Sequence, residues 1–225
     1  MSIFKLKFTY FFFISYFILG LFIYNDYGIG IEEHFQRKNG FYWLKEIFIF
    51  LNLENLTSLA LEKYESIILI DPSLPNTEFF NFYGIIFDVP AAFIEVIFKI
   101  EDSKLYFEIR HLINFIFFFI SSIFFYKLIK NRFKNELVVN FSVIFYIFNP
   151  RIFGDSFYNN KDVLFLSILT ISIYYLFKYF DKGSLKNLIL FCLLASLATS
   201  TRIVGIYLPI LLIIFLFLDY VSSKI

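Results

Sequence analysis

The chain has 225 residues, of which 59% are hydrophobic and only 17% are charged, and its formal net charge is +1. Soluble domains are typically about 45–50% apolar and about 25% charged, so a mean hydropathy of +0.72 excludes an ordinary soluble enzyme. One cysteine, 8 glycines and 5 prolines also exclude a disulfide scaffold and collagen, and the balanced charge gives no indication of nucleic-acid binding. The composition is that of a polytopic membrane protein.

The first predicted element is a membrane helix over residues 4–24. It has the run of about 20 mostly apolar residues that a bilayer requires, and Lys5 and Lys7 stand at its start. No small-residue cleavage site follows it, so we interpret residues 1–24 as a retained transmembrane helix and not as a signal peptide.

Residues 25–110 form a long polar insert. Its apolar stretches are too short to cross a bilayer and alternate with charges, which is typical of amphipathic helices at a membrane surface. Residues 91–98 are the best example. We predict an extracytoplasmic loop that carries interfacial helices.

Residues 111–225 are predicted to form a transmembrane bundle. Apolar runs cover residues 111–129, 137–148 and 163–180, and a long tract over 185–218 is broken near Arg202. Together with the first helix, this pattern predicts an all-α fold with about six membrane segments.

The distribution of basic residues predicts the orientation. The long insert is left out, because long loops cross a membrane largely regardless of charge. With the N-terminus in the cytoplasm, the short cytoplasmic segments then contain ten of the remaining 13 lysines and arginines, as the positive-inside rule expects. These residues are Lys5, Lys7, Lys127, Lys130, Arg132, Lys134, Lys178, Lys182, Lys186 and Lys224; the short outer loops contain only Arg151, Lys161 and Arg202. The composition is also typical of an AT-rich bacterial genome, so we expect the inner membrane, with the long loop outside.

A first candidate site lies directly after the first helix. Glu32, Glu33 and His34 are adjacent at the expected membrane surface, where partial desolvation can adapt a carboxylate to act as a general base. The alternative is a solvated charged turn.

A second candidate site is the polar hinge over residues 149–162. Arg151 and Lys161 are suited to binding a phosphate, and Asp155 and Asp162 could orient them. Asp162 is alternatively a helix cap, and the whole segment a plain capped turn.

Two further arginines are candidates. Arg202 interrupts an apolar tract and Arg110 opens another, and ionisable residues in such places are often functional. The alternative for both is contact with lipid headgroups. The sequence has no metal-ligand spacing and no glycine-rich phosphate loop, so we expect neither a metal nor a cofactor.

The order of these clusters resembles the N-terminal part of the GT-C membrane glycosyltransferases. The features are an acidic pair after the first span, an Arg-led span, a Pro-Arg…Asn-x-Lys-Asp hinge over residues 150–162, and a small-residue helix ending in Thr-Arg at Arg202. The nearest branch is glycosyltransferase family 39, with the bacterial relatives of the protein O-mannosyltransferases. The resemblance implies transfer of a sugar from a polyprenyl-phosphate donor to a lipid, glycan or protein hydroxyl outside the membrane.

The resemblance also implies roles for individual residues in a metal-independent, inverting reaction. Glu32, with Glu33 beside it, falls on the acidic pair that supplies the general base, although the family usually has Asp at the first position. The expected donor-phosphate ligands are Arg151, Lys161, Arg202 and Arg110, and the expected supporting residues are His34, Asp155 and Asp162.

Other functions stay open at this point. Members of the family generally have more spans, so an inactive fragment or a non-catalytic membrane subunit is one alternative. A transporter is another, although transport favours ionisable residues deep within several spans, whereas most charges here lie at the ends of the apolar runs.

Overall fold

The computed structural model describes residues 2–75 and 84–222, with side chains from residue 9 onward. Lys224 and the side chains of Lys5 and Lys7 lie outside the described residues. Across the described ranges the fold is helical, without β-strands, which confirms the predicted all-α class. The helices are α1 Ser2–Ile23, α2 Glu33–Phe50, α3 Glu54–Ile70, α4 Asp88–Ile97, α5 Ser103–Arg132, α6 Glu136–Ile147, α7 Pro150–Tyr158, α8 Asp162–Lys182, α9 Leu185–Thr201 and α10 Tyr207–Ser222, with a 3₁₀ turn at Ile203–Ile206 before α10.

Three helical segments are long and apolar enough to cross a bilayer, namely α5, α8 and Ile203–Ser222. Helices α6 and α7 meet at 53° and count as a fourth if the bent pair is one span. Thr9–Ile23 and Leu185–Thr201 are apolar but shorter. The chain is therefore an integral membrane protein, and the prediction of six segments is only partly met.

The apolar helices pack around α5 and α8. One core joins α1, α5, α6 and α7 through buried aromatic residues such as Tyr16, Phe115 and Phe157. Gly20 of α1 lies against the Phe115 ring so closely that an added Cβ would overlap it. A second core joins α8, α9 and α10 through Phe191 and aliphatic side chains such as Leu176 and Leu208.

Helices α2, α3 and α4 form a separate layer within the predicted loop. We call these three helices the platform. They share a core in which Phe41, Leu44, Ala60 and Ala92 are buried. The backbone of Gly40 in α2 approaches the carbonyl of Asp88 in α4 so closely that only glycine fits there. The loop therefore has its own hydrophobic core and positions the start of α2.

Two boundaries differ from the predictions. Helix α5 begins at Ser103, earlier than the predicted start at residue 111, because the Asp102 carboxylate caps it by accepting the N–H of Lys104. The predicted hinge over residues 149–162 contains the helix α7, because the Asn149 side chain caps it and Pro150 follows at the first helical position.

Candidate functional site

The acidic pair marks the start of α2, where the helix dipole favours negative charge. Glu32 is the residue directly before the helix, and 64% of its side chain is exposed. Its Oε2 atom accepts a hydrogen bond from Lys161 Nζ at 2.9 Å and a longer one from Gln36 at 3.4 Å. The first loop and the hinge therefore meet, although the sequence separates them widely.

Glu33 has a different environment. It is buried, and both carboxylate oxygens lie within 3.1–3.2 Å of His111 Nε2. Glu33 also accepts the backbone N–H of Gly30. Adjacent residues of the same type thus differ in access: Glu32 faces solvent, and Glu33 is held between α5 and its own loop.

A second ion pair joins the other two predicted clusters. Arg202, between α9 and the 3₁₀ turn, donates from Nη2 to Asp162 Oδ1. Asp162 is the first residue of α8 and does not cap it; its own N–H is accepted by the side chain of Asn159. Residues from three distant parts of the chain therefore meet at one place.

An open cavity of about 460 Å³ lies at this place, within the range of roughly 300–1,000 Å³ that is usual for small-molecule sites. Its polar lining includes Glu32, Glu33 and Asp162, and the side chains of Lys161 and Arg202 contact two of these carboxylates. The remaining lining residues are Ile29, Gly30, Ile31, Gln36, Tyr158 and Asn159.

Arg151, Asp155 and His34 lie outside this cavity lining. The Arg151 side chain is 89% exposed, and its contact is a long one to Asp155, at 3.8 Å within α7. Asp155 also accepts the hydroxyl hydrogen bond of Tyr158, which does line the cavity. His34 packs the edge of its ring against Phe107.

Arg110 is buried and does not reach the lipid headgroups. Only 1% of its side chain is exposed, and its Nε atom donates to Glu95 of α4 at 3.3 Å. The same carboxylate accepts from Arg37 Nε of α2 at 2.9 Å. Within the described part of the chain, neither Nη atom of Arg110 has a hydrogen-bond partner. Glu95 thus joins α2, α4 and α5 through one buried cluster.

Asp88 lies beside this cluster and is fully buried. Burial raises the pKa of Asp88 to about 6, although Arg110, the Asn39 side chain and Lys161 act in the opposite direction. The Asn39 amide donates to its carboxylate at 3.3 Å.

Three features were not predicted from the sequence, namely Glu95, Asp88 and the partnership of His111 with Glu33. A signal was available for the first two: Asp88, Ala91, Ala92 and Glu95 follow helical spacing and share the buried face of α4. No such pattern could reveal the pairing of His111 and Glu33, which are 78 residues apart. Among the residues with described positions, no group of three or more His, Cys, Asp or Glu side chains could hold a metal ion.

Comparison with known proteins gives one family. Residues 89–225 match the model of a family described as dolichyl-phosphate-mannose-protein mannosyltransferase. The match begins within α4 and includes Arg110, His111, the hinge and Arg202, whereas the acidic pair precedes it. Neither the curated proteins nor the solved structures give a match.

Proposed function

Because the matched stretch is more than half of the chain, the protein belongs to the dolichyl-phosphate-mannose-protein mannosyltransferase family, and from this we propose a specific reaction. The family implies a glycosyltransferase that uses a polyprenyl-phosphate sugar. We propose that this chain transfers such a sugar, on the outer face of the bacterial inner membrane, to a hydroxyl group of a lipid, glycan or protein. We propose both this class of acceptor and an inverting course for the reaction.

The contact between Glu32 and Lys161 carries this proposal. A solvent-facing carboxylate and a cation, 2.9 Å apart at an open cavity, are the two groups that such a reaction needs. One removes the proton of the attacking hydroxyl, and the other stabilises the negative phosphate that departs. The neighbouring Arg202 supplies a second cation, held by Asp162.

The proposed reaction is a single displacement. Glu32 takes the proton from the acceptor hydroxyl, whose oxygen forms a bond to the anomeric carbon of the sugar. The bond between that carbon and the phosphate oxygen breaks on the opposite face, and polyprenyl phosphate leaves with the bonding electrons, so the configuration inverts. General-base assistance is typically worth about 10²–10⁴-fold, and charge stabilisation is usually the larger contribution.

Lys161 has a further consequence in this scheme. In the donor-free chain its amine is held by Glu32. The phosphodiester of an incoming donor carries one negative charge, as the carboxylate does, and it gains a second as polyprenyl phosphate leaves, so it competes with Glu32 for the same amine. We expect donor binding to draw Lys161 toward the phosphate, which leaves the Glu32 carboxylate available to accept a proton.

The testing experiment measures sugar transfer by the purified chain in detergent, with polyprenyl-phosphate sugars as donors. Glu32→Gln keeps the size of the side chain and removes the base, so we expect kcat to fall by about 10²–10⁴-fold while donor binding is retained. Glu54→Gln is the matched control, because Glu54 also starts a helix and is exposed. Wild-type turnover in Glu32→Gln would refute the assignment of the base.

A further inference from the structure

We propose that His111 is a positioning residue for Glu32 and acts through Glu33. The inference rests on the proposed function, because it concerns the placement of the proposed general base. It assigns different roles to the two adjacent carboxylates: Glu32 exchanges the proton, and Glu33 fixes the backbone that holds Glu32.

A buried pair, His111 and Glu33, joins α5 to α2. His111 Nε2 lies 3.1 and 3.2 Å from the two oxygens of Glu33, and because a carboxylate only accepts hydrogen bonds, we assign a ring proton to Nε2. Their side chains are only 2% and 3% exposed. Hydrogen bonds to charged groups are stronger than those between neutral groups. The interaction therefore anchors the start of α2 to the long helix α5.

A tight turn precedes helix α2. Glu33 also accepts the backbone N–H of Gly30, so its carboxylate closes the loop over residues 30–33. A Cβ atom at Gly30 would lie 3.2 Å from the Tyr158 ring and 3.4 Å from Glu33 Oε2, which shows how closely the turn packs. Glu32 lies within this closed turn. The Glu33 carboxylate, which His111 holds, therefore fixes the backbone on both sides of Glu32.

The position of this turn determines where the proposed general base lies. A reacting group that is displaced by about 1 Å can lose about 10²-fold in rate. His111 does not line the cavity and contacts neither Lys161 nor Arg202 in the described ion pairs, so we expect its loss to leave the proposed donor-phosphate ligands in place. We expect the variant to lower kcat, expressed per folded chain, and to leave the donor KM nearly unchanged; a general loss of folding would instead reduce the amount of folded chain.

The ring of His111 also provides a conservative replacement. Its Nδ1 atom is buried and has no hydrogen-bond partner among the described residues. Only the Nε2–H group is used, and the side-chain amide of glutamine presents an N–H group at a similar distance from the backbone. His111→Gln should therefore restore what His111→Leu removes.

The test compares wild type, His111→Leu and His111→Gln by two measurements. Hydrogen exchange of the peptide that contains Gly30 reports the turn directly and does not depend on activity. Transfer kinetics with a polyprenyl-phosphate sugar report the consequence. Asn187→Leu is the matched control, because Asn187 of α9 is also buried and donates one hydrogen bond, to the Lys178 carbonyl at 3.3 Å.

We expect faster exchange at Gly30 and a loss of kcat of about 10- to 100-fold in His111→Leu, with donor KM within about twofold and recovery in His111→Gln. Unchanged exchange in His111→Leu would overturn the anchoring contact, and faster exchange with unchanged kcat would overturn the positioning role. If the wild type transferred no sugar while exchange responded as expected, the proposed function would fail and the anchor would stand.

Discussion

Lys161 is the side chain on which we expect the proposed phosphate site to depend most. Replacement of Lys161 by Met removes the amine and keeps the aliphatic length. Because a hydrogen bond to a charged group is worth about 1.5–3 kcal/mol, we expect the donor KM to rise about 10- to 100-fold. Steady-state kinetics with a polyprenyl-phosphate sugar measure this change.

Arg151→Met gives the comparison. The Arg151 guanidinium is almost fully exposed and contacts only Asp155 among the groups described. Its part in donor binding, which the family resemblance implies, stays a prediction. A larger rise in donor KM for Arg151→Met than for Lys161→Met would move the phosphate site to the exposed face of α7.

Asp88 gives the platform a pH-dependent stability. Its pKa is 3.8 in the unfolded chain and about 6 in the folded one, so the folded state binds the proton more tightly. The resulting stabilisation is fully present below pH 3.8 and is lost as the pH rises through about 6. One pKa unit corresponds to about 1.4 kcal/mol, and part of the stabilisation is already lost at pH 4, so Asp88→Asn should gain roughly 2 kcal/mol relative to wild type between pH 4 and pH 7.

Thermal unfolding in detergent at these pH values measures the difference. Asp181→Asn is the control, because Asp181 is exposed and makes only a 3.9 Å contact with Arg132. A difference between Asp88→Asn and wild type that did not change with pH would contradict the buried, proton-binding carboxyl.

At the level of single residues, the sequence indicated which groups to examine but not how they pair. The acidic pair, the hinge and Arg202 were each selected as clusters, and the contacts of Lys161 with Glu32 and of Arg202 with Asp162 bring them together. The difference between Glu32 and Glu33 could not be predicted, because adjacent residues at a helix start differ in burial only through what packs above them.

Among the helices, Glu95 determines how α4 is held. Its carboxylate bridges Arg37 of α2 and Arg110 of α5, and all three side chains are buried. Removal of one partner from a buried ion pair typically costs about 3–5 kcal/mol, because the remaining charge stays uncompensated. We therefore expect Glu95→Ala to destabilise the platform by about that amount.

The matched control is Glu46→Ala. Glu46 pairs with Lys45 at the surface, where ion pairs are worth about 0–1 kcal/mol. Unfolding midpoints in detergent measure both variants. Equal midpoints would show that the Arg37–Glu95–Arg110 cluster makes no special contribution to stability.

Helix α4 also shows why the sequence is ambiguous at this scale. Residues 91–98 have the alternation of an interfacial helix, and Phe93, Ile97 and Phe98 are indeed exposed. The opposite face was expected to be polar and solvated, but Asp88 and Glu95 are buried there. A helix with a carboxylate has the same sequence pattern whether water or an arginine from another helix compensates the negative charge.

For the whole molecule, the arrangement across the membrane is the next property to test. The proposed orientation has α3 outside and the α5–α6 connection inside. In a Cys192→Ser background we expect Ser58→Cys to react with an impermeant maleimide in intact cells, because Ser58 is exposed on α3. Lys134→Cys, in the exposed α5–α6 connection, should react only after permeabilisation.

Reaction of Lys134→Cys in intact cells, with Ser58→Cys protected, would reverse the orientation and place the site in the cytoplasm.

The helical class and the apolar runs were predictable because membrane helices satisfy their own backbone hydrogen bonds, so hydropathy alone identifies them. The number of crossings was less predictable, because α6 and α7 bend by 53° and α9 is short.

The distance along the chain between Glu32 and Lys161 has a consequence for biosynthesis. The two residues are 129 positions apart. At synthesis rates of about 5–20 residues per second, Lys161 is made roughly 6–26 s after Glu32. The interval between the synthesis of Glu33 and that of His111 is shorter, because these residues are 78 positions apart. His111, which holds the turn, is therefore synthesised before Lys161. The turn that contains Glu32 can form while the second half of the chain is still being translated.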